Sequence, residues 1–105
     1  MSSEMSEFRN YREALLEALQ NPKEAQAYLE VAMEEFFEDH DQNSFLKALR
    51  TIAEAQGGLT NLANKSNLNR PNLYKALSGK GNPKLETVGT ILKALGFKLH
   101  VKIAC

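Results

Sequence analysis

GLTNLANKSNLNRPNLYKALSG, residues 58–79, carries two helical periods with one interruption. Leu59, Leu62 and Ala63 stand at i, i+3 and i+4 and so share one helical face. Asn67-Leu68-Asn69 breaks the period, and Leu73, Ala76 and Leu77 resume it. The spacing predicts two short amphipathic helices joined by a tight turn. Asn69 is the expected N-cap of the second helix. Pro71 is tolerated there because the first turn needs no intrahelical N–H partner. With Leu73, Ala76 and Leu77 facing inward, the outward set is Pro71, Asn72, Tyr74, Lys75 and Ser78, with Arg70 at the margin. A helix pair whose second member turns polar and basic residues outward reads as a DNA-binding helix-turn-helix.

That reading assigns roles. Arg pairs bidentately with guanine and Asn with adenine in the major groove, and residues near the start of the recognition helix reach base edges. Asn69, Arg70 and Asn72 are therefore expected to read bases. Tyr74, Lys75 and Lys80 are expected to touch the backbone or groove. Thr60 and Asn61 open the first helix, where a phosphate meets helix N-terminal amides. Any one of these residues alone reads equally well as a solvated surface position; their concentration on one short element favours the nucleic acid.

Charge supports the division. The chain has 105 residues and a formal net charge of zero. Residues 1–56 hold 12 acids against 5 bases, a net of −7, whereas residues 57–105 hold 8 bases against Glu86 alone, a net of +7. A basic half suits a polyanion and an acidic half a basic partner; the plainer alternative is two solvated surfaces that partly neutralise each other. The length allows one domain with a modest core, and the 43% apolar fraction argues against wholesale disorder. A single cysteine, Cys105, makes neither an internal disulfide nor a multi-cysteine zinc site, which fits a reducing cytoplasm. No apolar run approaches the roughly 20 residues that span a bilayer. MSSEMSEFRN, residues 1–10, is polar, without the apolar core of a signal peptide and without a clear pattern of its own.

From residue 12 a short helical pattern carries Leu15, Leu16 and Leu19. Asn21-Pro22-Lys23-Glu24 restarts it, with Asn as N-cap and Pro at the first helical position. The helix that follows buries Ala25, Tyr28, Leu29, Ala32, Met33, Phe36 and Phe37 on one face and shows Glu24, Glu30, Glu34, Glu35 and Glu38 on the other. Phe36 and Phe37 read first as core, and alternatively as part of a docking face for a basic protein. FFEDHDQ, residues 36–42, is a junction, and His40 there has no second His or Cys at metal-ligand spacing. Asp41 or Asn43 caps the next helix, which carries Phe45, Leu46, Leu49, Ile52 and Ala53 and ends at Gly57-Gly58. After the helix pair, residues 78–83 form a turn whose Pro83 opens a further helix. That helix, with Leu85, Val88, Ile91, Leu92 and Leu95, closes the core and stops at Gly96.

Residues 97–103 alternate apolar and polar side chains, the period of a half-buried β-strand. A lone strand wants a partner. Pairing with its own copy through Phe97, Leu99, Val101 and Ile103 gives a homodimer with two recognition helices, as palindromic operators require. Residues 4–9 are the alternative partner, within the chain.

LYKALSGKGNP (residues 73–83) followed by TVGTILKALGFKLHV (residues 87–101) resembles the antidote proteins of bacterial addiction modules, antitoxins with a Cro/lambda-repressor-like helix-turn-helix. NPKEAQAYLEVAMEE (residues 21–35) and FLKALRTIAEAQGGLTNLA (residues 45–63) resemble the N-terminal half of that family. The resemblance implies a mainly α, lambda-repressor-like helical bundle with extra N-terminal helices and, here, a short C-terminal strand. It implies two activities: neutralising a small, basic RelE/HigB-like ribonuclease toxin, and repressing the module's own operon at its operator. Residues 1–41 become an acidic, toxin-binding helical segment, and residues 42–105 a helix-turn-helix domain with a dimerisation strand. The sequence departs from the family at Glu54-Ala55-Gln56, where relatives often carry bases, and at Pro71.

No nucleophile–base pair, paired-carboxylate motif or phosphate-cradling glycine loop stands in the chain, so no enzyme, cofactor or metal is expected. The competing functions are a stand-alone phage- or host-type helix-turn-helix repressor and an interaction module whose helix pair no longer reads DNA.

Overall fold

Six helices make up the regular structure of the described residues: α1 (Ser3–Ala18), α2 (Pro22–Asp39), α3 (Gln42–Ala55), α4 (Gly58–Ser66), α5 (Arg70–Leu77) and α6 (Leu85–Ala94). The computed structural model describes residues 3–79 and 81–104, with side chains from residue 10 onward. Three helices begin at a side-chain cap that the sequence announces. Asn21 Oδ1 accepts from Lys23 N at 2.9 Å, Asp41 Oδ1 from Asn43 N at 3.0 Å, and Asn69 Oδ1 from Asn72 N at 2.8 Å. Each bond satisfies one of the amides that a helix start leaves unpaired. At the other ends the chain turns through left-handed residues, His40 (φ 58°) after α2 and Asn67 (φ 60°) after α4. His and Asn are among the side chains that tolerate this region, so His40 serves the junction as a helix terminator, its ring edge-on to Phe36.

The core is built around α3. Phe45, Leu46, Ala48, Leu49, Ile52, Ala53 and Ala55 are all buried. At about 100° per residue they cover roughly half of the helix circumference, wide enough to take neighbours on several sides. Helices α1, α2, α4 and α5 all pack on it, and α6 closes the bundle against α4. Leu19, Ala25, Leu29 and Ala32 join the same buried cluster as Leu62, Leu73, Leu77, Ile91 and Leu92. Gln56 fastens the assembly by donating its Nε2 to Leu19 O at 3.2 Å, between the α1–α2 corner and the α3–α4 corner.

Several sequence expectations are corrected. No strand forms among the described residues, and residues 97–104 have no regular secondary structure. Alternation determines which side a strand would bury, but a strand exists only against a neighbour. Residues 4–9, the partner considered within the chain, are wound into α1. The chain leaves α6 through a Schellman closure: Gly96 (φ 90°) donates to Lys93 O at 3.0 Å and Phe97 to Leu92 O at 2.8 Å. That turn seats Phe97 on the core. Leu99 and His100 then line a groove with Leu29 and Met33 of α2.

The other corrections concern boundaries and faces. Helix α3 ends at Ala55, and Gly58 starts α4 rather than closing α3. Helix α6 starts at Leu85 behind Lys84, not at Pro83. Its first turn overhangs the core, so Leu85 is 77% exposed despite sharing the apolar period. On α2 the apolar stripe is wider than the surface that covers it. Ala25, Leu29 and Ala32 are buried, Tyr28, Met33 and Phe36 half-buried, and Phe37 is 69% exposed.

Gln42 of α3 reaches across to the segment after α5, donating to Gly81 O at 3.2 Å and to Asn82 Oδ1 at 3.0 Å. Gly81 lies so close to the end of α5 that a Cβ there would stand 2.3 Å from Lys75 O. Gly81→Ala should therefore cost about 1–3 kcal/mol of unfolding free energy. Gly79→Ala, with open space around the added carbon, should stay within about 0.5 kcal/mol of the parent. Urea denaturation of the two variants checks this; equal midpoints would contradict the close approach.

Candidate nucleic-acid interface

The outward face of α5 follows from its short buried one. Leu73, Ala76 and Leu77 are buried, which leaves Arg70, Pro71, Asn72, Tyr74 and Lys75 exposed along the opposite side. The turn that aims the helix is built from Asn67 in its left-handed conformation, half-buried Leu68, and Asn69 as N-cap. Ser66, buried at the end of α4, braces it, its Oγ accepting from Leu68 N at 3.3 Å.

The residues expected to meet DNA divide into three groups. Thr60, Asn72 and Lys75 are exposed, and among the described residues no side-chain hydrogen bond holds them. Asn61 and Asn69 are already at work. Asn61 is half-buried and donates its Nδ2 to Gln56 O at 3.2 Å, which braces the α3–α4 corner. Asn69 spends Oδ1 on its cap and keeps Nδ2 for other partners. Arg70 and Tyr74 hold each other: Arg70 Nη2 donates to Tyr74 Oη at 3.1 Å, and the guanidinium carbon stands 5.3 Å from the tyrosine ring centre. Lys80 lies outside the described residues. Of the segment expected to pair two copies, Phe97 is half-buried on the core, while Leu99, Val101 and Ile103 are exposed, Val101 at 94%.

Sequence reasoning missed a cluster beside Tyr74. Arg50 of α3 sits over the same ring, 5.9 Å from its centre. Its Nε is 3.5 Å from Glu54 Oε1, and Glu54 Oε2 pairs with Arg12 of α1. Both ion pairs among the described residues thus end on Glu54. Glu54, the acid just before the helix pair expected to read DNA, is held between two arginines. The i,i+4 spacings of Arg50–Glu54 and Arg70–Tyr74 were visible in the sequence; the packing of α1 and α5 on α3, which brings them together, was not.

On α2 the picture is opposite. Glu24, Glu30, Glu34, Glu35 and Glu38 are all exposed, and exposed Val31 and Phe37 stand among them. No helix among the described residues is long and apolar enough to cross a membrane.

The chain is a small helical protein with exposed carboxylates along α2 and a short, polar, cationic α5. The family model described as "Probable addiction module antidote protein" matches residues 10–103, and the chain belongs to that family. An uncharacterized protein of Haemophilus influenzae is 36% identical over 86 residues, covering 82% of this chain and 84% of that one. No solved structure matches the chain. An antidote implies a toxin as partner.

The Asn69 cap is the local bond on which the pose of α5 rests. Asn69→Ala should cost about 0.5–2 kcal/mol of stability, while Asn69→Asp, which can still accept from Asn72 N, should cost much less. Equal unfolding free energies for the two variants would show that the cap contributes nothing.

Proposed function

We propose that this protein is the antitoxin of a type II toxin–antitoxin module, neutralising a RelE/HigB-like ribonuclease toxin and repressing its own operon. In this reading α4, the turn and α5 form a DNA-binding helix-turn-helix of the Cro/lambda-repressor kind. Asn69, Arg70 and Asn72 face base edges. Lys75, with Thr60 and the amides that open α4, meets phosphates. Residues 1–41 serve the toxin and residues 42–105 serve DNA and self-association. The protein acts by binding, not by catalysis, in the cytoplasm where operator and toxin both reside.

The observation that carries the reading is the separation of two unlike surfaces on one core. The exposed carboxylates of α2 suit a basic toxin, with Val31 and Phe37 as apolar anchors. The exposed polar and cationic side chains of α5 suit the major groove. Family membership supports the toxin as partner. A homodimer fits an operator with two half-sites, and exposed Leu99 and Val101 in the C-terminal segment offer apolar area for a second copy.

A mobility-shift titration on the DNA upstream of the protein's own gene, with unrelated duplex as competitor, tests the repressor half. The expected result is a shift that survives competitor and weakens steeply between two salt concentrations, with log K falling by about 0.9 per log unit of salt for each phosphate neutralised. A shift abolished equally by unrelated DNA would contradict operator recognition.

A further inference from the structure

The helix-turn-helix reading expects Arg70 at a base and Tyr74 at the backbone or groove, yet neither residue stands alone. Tyr74 lies one helical turn after Arg70, and long helical side chains lean toward the N-terminus, so the ring reaches back over residue 70. The tyrosine hydroxyl accepts from Arg70 Nη2 at 3.1 Å, with the guanidinium carbon 5.3 Å from the ring centre. Tyr74 is 38% exposed. Arg50 covers part of it from α3 at 5.9 Å, and Glu54 anchors Arg50 at 3.5 Å. Glu54 is in turn held by Arg12 of α1. A run of five side chains from three helices therefore ends on one guanidinium.

We propose that Tyr74 is a positioning residue for Arg70, and that Arg50, tethered by Glu54, is the support that keeps the tyrosine ring in place. This rests on the reading of α5 as a recognition helix. An unrestrained arginine loses much rotamer freedom when it reads a base, and a side chain already fixed by a hydrogen bond and a ring face loses less. Arginine has five N–H donors in a rigid fork. With one given to Tyr74 Oη, enough remain for the paired acceptors of guanine, O6 and N7. Tyr74 thus holds Arg70 in one pose and acts on sequence preference without touching DNA. Glu54 acquires a role as well: it is the fixed end of the support, which gives a DNA-reading protein a use for an acid at that position.

The test is a double-mutant cycle on Arg70→Ala and Tyr74→Phe, the second of which keeps the ring and removes the hydroxyl. The probes are a duplex that the native chain enriches from a random-sequence pool, and the unselected pool. Positioning predicts that Tyr74→Phe weakens binding to the enriched duplex by about three- to tenfold, the size of one lost hydrogen bond. Binding to the unselected pool should not change. In the Arg70→Ala background the same substitution should have no further effect. Thermal unfolding followed alongside separates a loss of fold, which would lower both affinities in every background. Equal losses on both probes, or an undiminished loss without Arg70, would show that Tyr74 meets DNA directly and would overturn the proposal. Failure of the native chain to enrich any sequence would overturn the recognition-helix reading itself, and the positioning role with it. Glu54→Gln gives a second check: loosening the far support should lower the preference for the enriched duplex in the same direction as Tyr74→Phe, and an unchanged preference would remove Glu54 and Arg50 from the account.

Discussion

The burial of α3 is the constraint on which the rest of the structure depends. A helix that hides about half of its circumference must find neighbours on more than one side, and α3 finds four. Leu49 and Ile52 have no exposed surface at all. Truncating either would open a cavity at the point where α1, α2, α4 and α5 converge. The acidic α2 and the cationic α5 are both laid on this one helix, so their relative placement is a property of its buried face. On the uncovered side of α3, Arg50 reaches Tyr74 of α5 and Glu54 reaches Arg12 of α1.

This arrangement gives a small chain two electrostatically opposed surfaces without a second domain core. Among the described residues the exposed glutamates of α2 make no ion pair, whereas Glu54, near α5, is paired twice. Unpaired surface carboxylates attract a basic partner over distance and repel nucleic acid. A doubly paired one does little of either. The charge division in the sequence at residue 56 is kept at α2 and α5, while Lys98 and Lys102 line a groove with Glu30 of α2, and membership of the antidote family implies a toxin as partner.

Much of this was legible in the residues. Caps at Asn21 and Asn69, the inward triplets of α4 and α5, and the acidic face of α2 follow from short-range chemistry and formed as read, and of the two candidates for the α3 cap Asp41 is the one used. The misreadings share a physical cause: they needed to know what lies opposite. Alternation at residues 97–103 describes a strand only if another strand is present. Leu85 and Phe37 keep the helical period yet extend past the surface that would cover them. The Arg12–Glu54–Arg50–Tyr74–Arg70 run includes a direct contact 42 positions apart, Arg12 with Glu54, and no local pattern reports such a meeting. Glu54 read as a departure because Arg12, one of its two arginines, lies in another helix, and the i,i+4 Arg50 was not set against it.

The central claim is that one core carries two separate binding faces, α5 for DNA and α2 for the toxin. Amide hydrogen exchange tests it most directly, recorded on the free chain, on the chain with its operator fragment, and on the chain with the basic product of the neighbouring gene. The account predicts that DNA slows exchange in α4 and α5 and leaves α2 as in the free protein, while the toxin slows exchange in α2 and leaves α5 unchanged. Protection of α5 by the toxin with α2 unaffected, or protection of α2 by DNA, would contradict it.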